Sequence, residues 1–209
     1  MKRIQGLYGI TDPQLIADQN LYDTVSQAID GGLAILQYRN KVASQPIMYQ
    51  QAEVLKKLCE ANQVLFFVND SLELAKSIDA DGVHIGKHDG AIAAARKALG
   101  ENAIIGVSCY NQLENALAAE QAGADYIAFG RFFGSQTKPE AIQAYPELIV
   151  AAKDKISLPI VAIGGISIDN ADILLQAGAD SLAVIHGIFG QVDVYAACQA
   201  LNKQFLPYQ

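Results

Sequence analysis

Short apolar runs rich in β-branched and aromatic residues recur along the chain at 7–10, 34–38, 64–68, 82–85, 104–107, 126–129, 160–163 and 182–185. Longer stretches rich in Ala, Leu, Glu and Lys separate them, with apolar residues near helical spacing, as at 44–61 and 111–122. The runs are apolar throughout rather than alternating, which suits strands buried on both faces in a parallel sheet covered by helices. Eight strand–helix pairs within 209 residues predict an α/β protein, a (β/α)8 TIM barrel forming a single domain over 1–209. The competing doubly wound sheet wants a Gly-x-Gly-x-x-Gly after its first strand, and none stands there. The joints from helix to strand repeat as well, as Gly31-Gly-Leu-Ala34, Asp79-Ala-Asp81, Gly123-Ala-Asp125 and Gly178-Ala-Asp180. Each offers a small or turn-prone residue on which a helix can end. Ala122-Gly-Ala-Asp-Tyr-Ile-Ala-Phe129 and Ala177-Gly-Ala-Asp-Ser-Leu-Ala-Val184 read as two copies of one joint.

In such barrels the loops after the strands build the active site, and the polar clusters here follow strands rather than precede them. The second strand ends in Gln37-Tyr-Arg-Asn-Lys41, the third in Asn69-Asp70, and the fourth leads to Asp89. Ser108 follows the fifth, Ser135-Gln-Thr-Lys138 the sixth, Gly164-Gly-Ile-Ser167 the seventh and His186-Gly187 the eighth. Neighbouring parallel strands lie about 5 Å apart, so Asp70 and Asp89 could leave one end of the sheet together and share a hard cation such as Mg2+. Arg39 and Lys41 add fixed positive charge, and the planar fork of Arg39 suits a bidentate phosphate contact. Carboxylates for a metal beside cations for a polyanion are what a diphosphate leaving group needs.

Plainer readings exist for each element. Asp70 or Ser71 could cap the helix that follows, as Asp89 could cap 91–99. The ring of Tyr38 suits packing. Ser108 lacks the His–Asp pairing of a nucleophile, and Cys109 reads as a small buried group. Gly134-Ser-Gln-Thr-Lys-Pro139 is either a loop able to close over an anion or an exposed turn fixed by its proline. Gly164-Gly165 would let backbone N–H groups approach a phosphate, though a tight turn also wants glycine. His84, His88 and His186 lack the His-Glu-x-x-His spacing of a zinc site.

Composition removes several function classes. Fifteen basic against 22 acidic residues give a net charge of −7, the wrong sign for a nucleic-acid binder. Cys59, Cys109 and Cys198 are odd in number and unpatterned, so free thiols in a reducing compartment are expected. No apolar run approaches the roughly 18 residues of a membrane span, and the start of the chain lacks a signal-peptide core. A soluble, cytoplasmic protein acting on small molecules is the expectation, with a homo-oligomer left open.

Taken in order, several motifs resemble the thiamine-phosphate synthase family over nearly the whole chain. They are Gln37-Tyr-Arg-Asn-Lys41, Asn69-Asp70, Ala80-Asp-Gly-Val-His-Ile-Gly86 with Asp89, Gly106-Val-Ser108, the Ser-x-Thr-Lys of 135–138, Ile163-Gly-Gly-Ile166 and Ala183-Val-Ile185. The resemblance implies coupling of hydroxymethylpyrimidine diphosphate to hydroxyethylthiazole phosphate, with loss of diphosphate and no covalent enzyme intermediate. It implies Mg2+ on Asp70 and Asp89. Arg39, Lys41 and Lys138, with Ser108, would act in catalysis. Gln37 through Lys41 (Tyr38 and Asn40 included), Asn69, Ser108, Ser135, Gln136, Thr137, Lys138, Gly165, Ile185 and His186 would bind substrate. Lys87, Gly134-Ser135 and His186 depart from the common family pattern, where Gln, Pro-Thr and Ser are frequent. The rivals are a thiazole tautomerase-like barrel, which needs no diphosphate grip, and a non-catalytic thiazole phosphate sensor, which needs no Mg2+.

Overall fold

The apolar runs pair edge to edge in chain order and close on themselves. The computed structural model describes residues 4–86, 91–134 and 142–208. Its strands are β1 (Gly6–Ile10), β2 (Ile35–Tyr38), β3 (Leu65–Asn69), β4 (Gly82–Ile85), β5 (Ile104–Tyr110), β6 (Tyr126–Phe129), β7 (Ile160–Ile163) and β8 (Ser181–Val184). All are parallel to their neighbours, and β8 returns to β1 with Ser181 opposite Gly6. Outside them lie α1 (Leu21–Asp30), α2 (Gln45–Ala61), α3 (Leu72–Ser77), α4 (Ala91–Leu99), α5 (Leu113–Gln121), α6 (Pro146–Lys153), α7 (Ala171–Gln176), α8 (His186–Phe189) and α9 (Val194–Lys203). The architecture is the expected single-domain (β/α)8 barrel. Among the described residues no helix is long and apolar enough to cross a membrane, and Cys59, Cys109 and Cys198 are all buried.

Two strand ends differ from the apolar pattern. The fifth run extends past Val107 to Tyr110, with a register irregularity between Ser108 and Tyr110. Such bulges re-aim side chains beside active sites. The eighth strand stops at Val184, so Ile185 becomes the residue ahead of the short helix α8. The question of which residue caps α3 is also answered, because Ser71 Oγ accepts a hydrogen bond from Leu74 N at 3.2 Å. Asp70 is thereby left to the rim.

Strand residues divide between two cores. Side chains on the outer face of the sheet, such as Leu36, Phe66, Ile105 and Leu182, pack under the helices. Those facing inward, including Tyr8, Ile35, Leu65, Phe67, Tyr126 and Val161, fill the barrel. Phe67 stacks on Tyr126 with centroids 5.7 Å apart, and Tyr8 meets both edge-on. This aromatic plug closes the barrel below its C-terminal mouth.

The opposite rim is held by one device used three times. Asp81 Oδ2 accepts from Phe66 N at 2.9 Å and lies 3.7 Å from Lys56 Nζ on α2. Asp125 Oδ2 accepts from Ile105 N and pairs with Arg96 on α4, both at 2.7 Å. Asp180 Oδ2 accepts from Ile160 N and pairs with Lys153 on α6, again at 2.7 Å. In each case a carboxylate just ahead of an even-numbered strand satisfies the first free N–H of the odd-numbered strand before it. The cation comes from the helix leading into that odd-numbered strand. The repeated Ala-Asp joints are therefore clamps as well as helix stops.

Candidate active site

The C-terminal mouth opens on a cavity of about 330 Å3. Of the residues expected from sequence, it brings together Gln37, Arg39, Asn69, Ser108, Gly165, Ile185 and His186. Tyr38, Asn40, Lys41 and Asp70 instead border a neighbouring hollow of about 260 Å3 between the β2 and β3 loops, which Asn69 also lines. Asp89, Ser135, Gln136, Thr137 and Lys138, together with Lys87 and His88, lie outside the described residues.

Charge is concentrated at the ends of β2 and β3. Lys41 Nζ lies 3.2 Å from Asp70 Oδ2, which also accepts from Asn69 Nδ2 at 2.7 Å. Both members of the ion pair are more than half exposed, at 56% and 54%, so the pair is available to ligand more than it is a stabilising contact. Asp70 adopts φ 61°, a left-handed conformation that Asp and Asn tolerate better than most residues. Arg39 is held more firmly. Thr11 Oγ1 accepts from Arg39 N at 2.8 Å, and Arg39 Nη1 lies 3.7 Å from Asp12 Oδ2, a carboxylate only 7% exposed. Asn40 spends its side chain on its own turn, accepting from Val42 N and Ala43 N. Tyr38 is buried under α2 and donates its hydroxyl to Gln51 at 2.7 Å. These two residues shape the loop from behind, facing away from the central cavity.

Below the cationic rim runs a line of side-chain hydrogen bonds across the barrel. Gln37 Nε2 donates to Tyr8 OH at 2.7 Å, and Tyr8 OH lies 2.9 Å from Tyr126 OH. Tyr126 OH lies 3.0 Å from His84 Nδ1, and His84 Nε2 lies 2.9 Å from Ser108 Oγ. Burial pushes the phenols of Tyr8 and Tyr126 well above the ordinary tyrosine range, so both remain protonated. Gly106 makes room for this line, since a Cβ there would overlap the Tyr126 ring. The glycine of the Gly-Val-Ser motif is thus a packing requirement for the tyrosine.

The far wall is backbone. Gly164 and Gly165 both have positive φ, and a Cβ on either would strike the loop after β6 at Arg131 or Gly134. The glycine pair thus has a packing reason beside any ligand. Asn170 braces the turn, accepting from Ser167 N and donating to Gly165 O. The short helix α8 opens next to it, and the first N–H groups of a helix have no partners within it. Loops after the seventh and eighth strands with such a helix are a recurrent phosphate site in these barrels.

Sequence reasoning missed Tyr8, Tyr126, Asp12 and Arg131. Each lies inside an apolar run or in a loop without a distinctive spacing. His84 carried one usable signal, a polar residue within an otherwise apolar strand. Both of its ring nitrogens are committed to hydrogen bonds here.

Comparison with known proteins agrees with this geometry. A family model described as thiamine monophosphate synthase matches residues 7–188. The chain is 48% identical to the thiamine-phosphate synthase of Nitrosococcus oceani, covering 97% of this chain and 93% of that one. It is equally similar, at 48%, to that of Alcanivorax borkumensis, with 98% and 96% covered. Among solved structures, thiamine phosphate pyrophosphorylase from Pyrococcus furiosus superposes with a TM-score of 0.86 at 38% identity, covering 96% of this chain and 95% of that one. A match over nearly the whole barrel, at identities far above those that show a fold alone, places the chain in the thiamine monophosphate synthase family.

Proposed function

We propose that this thiamine-phosphate synthase joins hydroxymethylpyrimidine diphosphate to hydroxyethylthiazole phosphate, the latter with or without a 2-carboxylate lost on coupling, by a dissociative substitution. The observation that carries the reading is that Arg39, Lys41, Asn69 and Asp70 follow or end two adjacent strands, Arg39 and Asn69 lining the cavity and Lys41 and Asp70 the hollow beside it. The methylene C–O bond breaks and its electron pair leaves with diphosphate. The thiazole nitrogen lone pair then forms the new C–N bond to the pyrimidinylmethyl cation. Arg39 and Lys41, joined by Lys138, would hold the departing oxygens. Gln37 and Asn69 would orient the pyrimidine or the diphosphate, and Ser108 would hydrogen-bond nearby. Gly165 and the Ile185–His186 backbone, with 135–137, would take the thiazole phosphate. No step requires an enzyme nucleophile.

Asp70 and Asp89 are assigned to Mg2+. Asp70 fits that role, because it is exposed at the rim and among the described residues its Oδ1 accepts no hydrogen bond. Such an ion takes one or two protein carboxylates and completes its shell with phosphate oxygens and water. When bound, it supplies positive charge to the leaving diphosphate.

The test is release of diphosphate from both substrates with and without Mg2+, with mass spectrometry for thiamine phosphate. Metal-dependent product supports the reading. Binding of thiazole phosphate without coupling would replace it with the tautomerase-like or sensor alternative.

A further inference from the structure

The hydrogen-bond line under the cavity has a direction, and the direction comes from its first member. Gln37 Nε2 can only donate, so Tyr8 OH receives that bond. Among the described residues the other partner of Tyr8 OH is Tyr126 OH, which must therefore accept the Tyr8 proton. Tyr126 is fully buried and has one proton of its own to place. Giving it back to Tyr8 would leave the Tyr8 hydroxyl without an acceptor, so it goes to His84 Nδ1. An unprotonated Nδ1 puts the proton of neutral imidazole on Nε2, which donates to Ser108 Oγ. Ser108 then accepts one bond from below, which leaves its own proton and a second lone pair for the cavity that it lines.

We propose that Tyr8, Tyr126 and His84 are positioning residues that keep the Ser108 proton free for donation to the substrate. The line acts through orientation alone and moves no proton during turnover. Its consequence is a hydrogen bond from Ser108 to a substrate atom able to accept one, a ring nitrogen or a phosphate oxygen. The functional arm rests on the synthase reading, whereas the orientation itself does not.

The first test needs no substrate. In the full-length protein labelled with 15N-histidine, His84 (assigned by loss of its signals in His84→Gln) should show a protonated Nε2 and an unprotonated Nδ1. Tyr8→Phe leaves the Tyr126 proton with His84 and should preserve that tautomer. Tyr126→Phe removes the donor and should let the two tautomers mix. The opposite tautomer in the unsubstituted protein, or an unchanged one in Tyr126→Phe, overturns the proposal. It would mean that the line runs the other way or that Tyr126 does not set it.

The second test is a double-mutant cycle on coupling. Tyr126→Phe alone should lower kcat/KM for the pyrimidine diphosphate by roughly three- to tenfold, the worth of one misdirected hydrogen bond. KM for the thiazole phosphate should not change. In a Ser108→Ala background the same substitution should have little further effect, because Tyr126 acts through Ser108. Independent, multiplying effects would show a packing contribution only and overturn the proposal. An unsubstituted protein that forms no thiamine phosphate would defeat the synthase reading instead, with the tautomer still deciding the orientation.

Discussion

The two ends of this barrel are built on opposite plans. At the N-terminal rim one arrangement occurs three times, with Asp81, Asp125 and Asp180 each joining a strand N–H to a cation from a preceding helix. At the C-terminal rim, among the described residues, no such arrangement repeats. Arg39 is braced by Thr11 and Asp12, Asp70 faces Lys41 from a left-handed backbone, and Asn170 ties down a glycine turn. Repetition marks the work of holding strands together, which is the same around the ring. Singularity marks the work of meeting a substrate, which has different atoms on each side. The difference follows from what each end touches, since only the C-terminal mouth opens on the cavity.

The sharpest way to break this division is Asp70→Asn. Asparagine keeps the left-handed backbone while removing the charge, so turnover should fall by about a hundredfold or more. The melting temperature should stay within about a degree, because an exposed ion pair contributes little. A near-normal rate with Mg2+ would remove Asp70 from the chemistry.

A second substitution, Gly106→Ala, tests the layer between the two ends. Its methyl would overlap the Tyr126 ring, and the loss should be about 1–3 kcal/mol of stability, as for overpacked cores. Unchanged melting would mean that the ring moves freely.

Asp125→Ala should show the reverse of Asp70→Asn. It takes the acceptor from Ile105 N and the carboxylate from Arg96, which keeps its bonds to the carbonyls of Ala103 and Gly123, costing about 1–3 kcal/mol, or about 2–4 °C in Tm for each kcal/mol in a domain of this size. Its kcat at a temperature well below melting should match the parent. A large fall in kcat would show that the clamp reaches the site.

A smaller effect is expected from alkali. Burial raises the phenols of Tyr8 and Tyr126. Their stabilisation is complete below the unfolded-tyrosine value of about 10 and is lost as pH climbs from there through the folded values. Denaturant unfolding between about pH 9 and about pH 11 should show stability falling with pH, and Tyr8→Phe should flatten the slope. An unaltered slope in that variant would mean that Tyr8 ionises in the folded state as it does in the unfolded chain. Asp12→Asn, which weakens the brace on Arg39, should be mildest, raising KM for the pyrimidine diphosphate by a few-fold. No change in KM would show that Thr11 alone holds Arg39.

The same contrast explains what could be read from sequence. The barrel was legible because its strands repeat a period and its Ala-Gly-Ala-Asp joints repeat a motif. Charged rim residues such as Arg39, Lys41 and Asp70 were legible because they interrupt apolar runs at strand ends. Tyr8 and Tyr126 were not, since a tyrosine inside an apolar run looks like core until a partner 118 residues away meets its hydroxyl at 2.9 Å. Asp12 escaped for a similar reason, because its partner Arg39 lies just past the next strand. The clamping by Asp81, Asp125 and Asp180 was hidden in a pattern correctly seen but read only as helix termination.

The most direct measurement is product formation by a matched pair, Asp70→Asn and Asp125→Ala, assayed for thiamine phosphate and diphosphate with Mg2+ beside a thermal melt of each. The account predicts that Asp70→Asn melts like the parent and makes almost no product, while Asp125→Ala melts several degrees lower and turns over normally when cold. If Asp70→Asn turned over at the parent's rate, or if Asp125→Ala lost activity while still folded, the separation of stability from chemistry between the two rims would be contradicted.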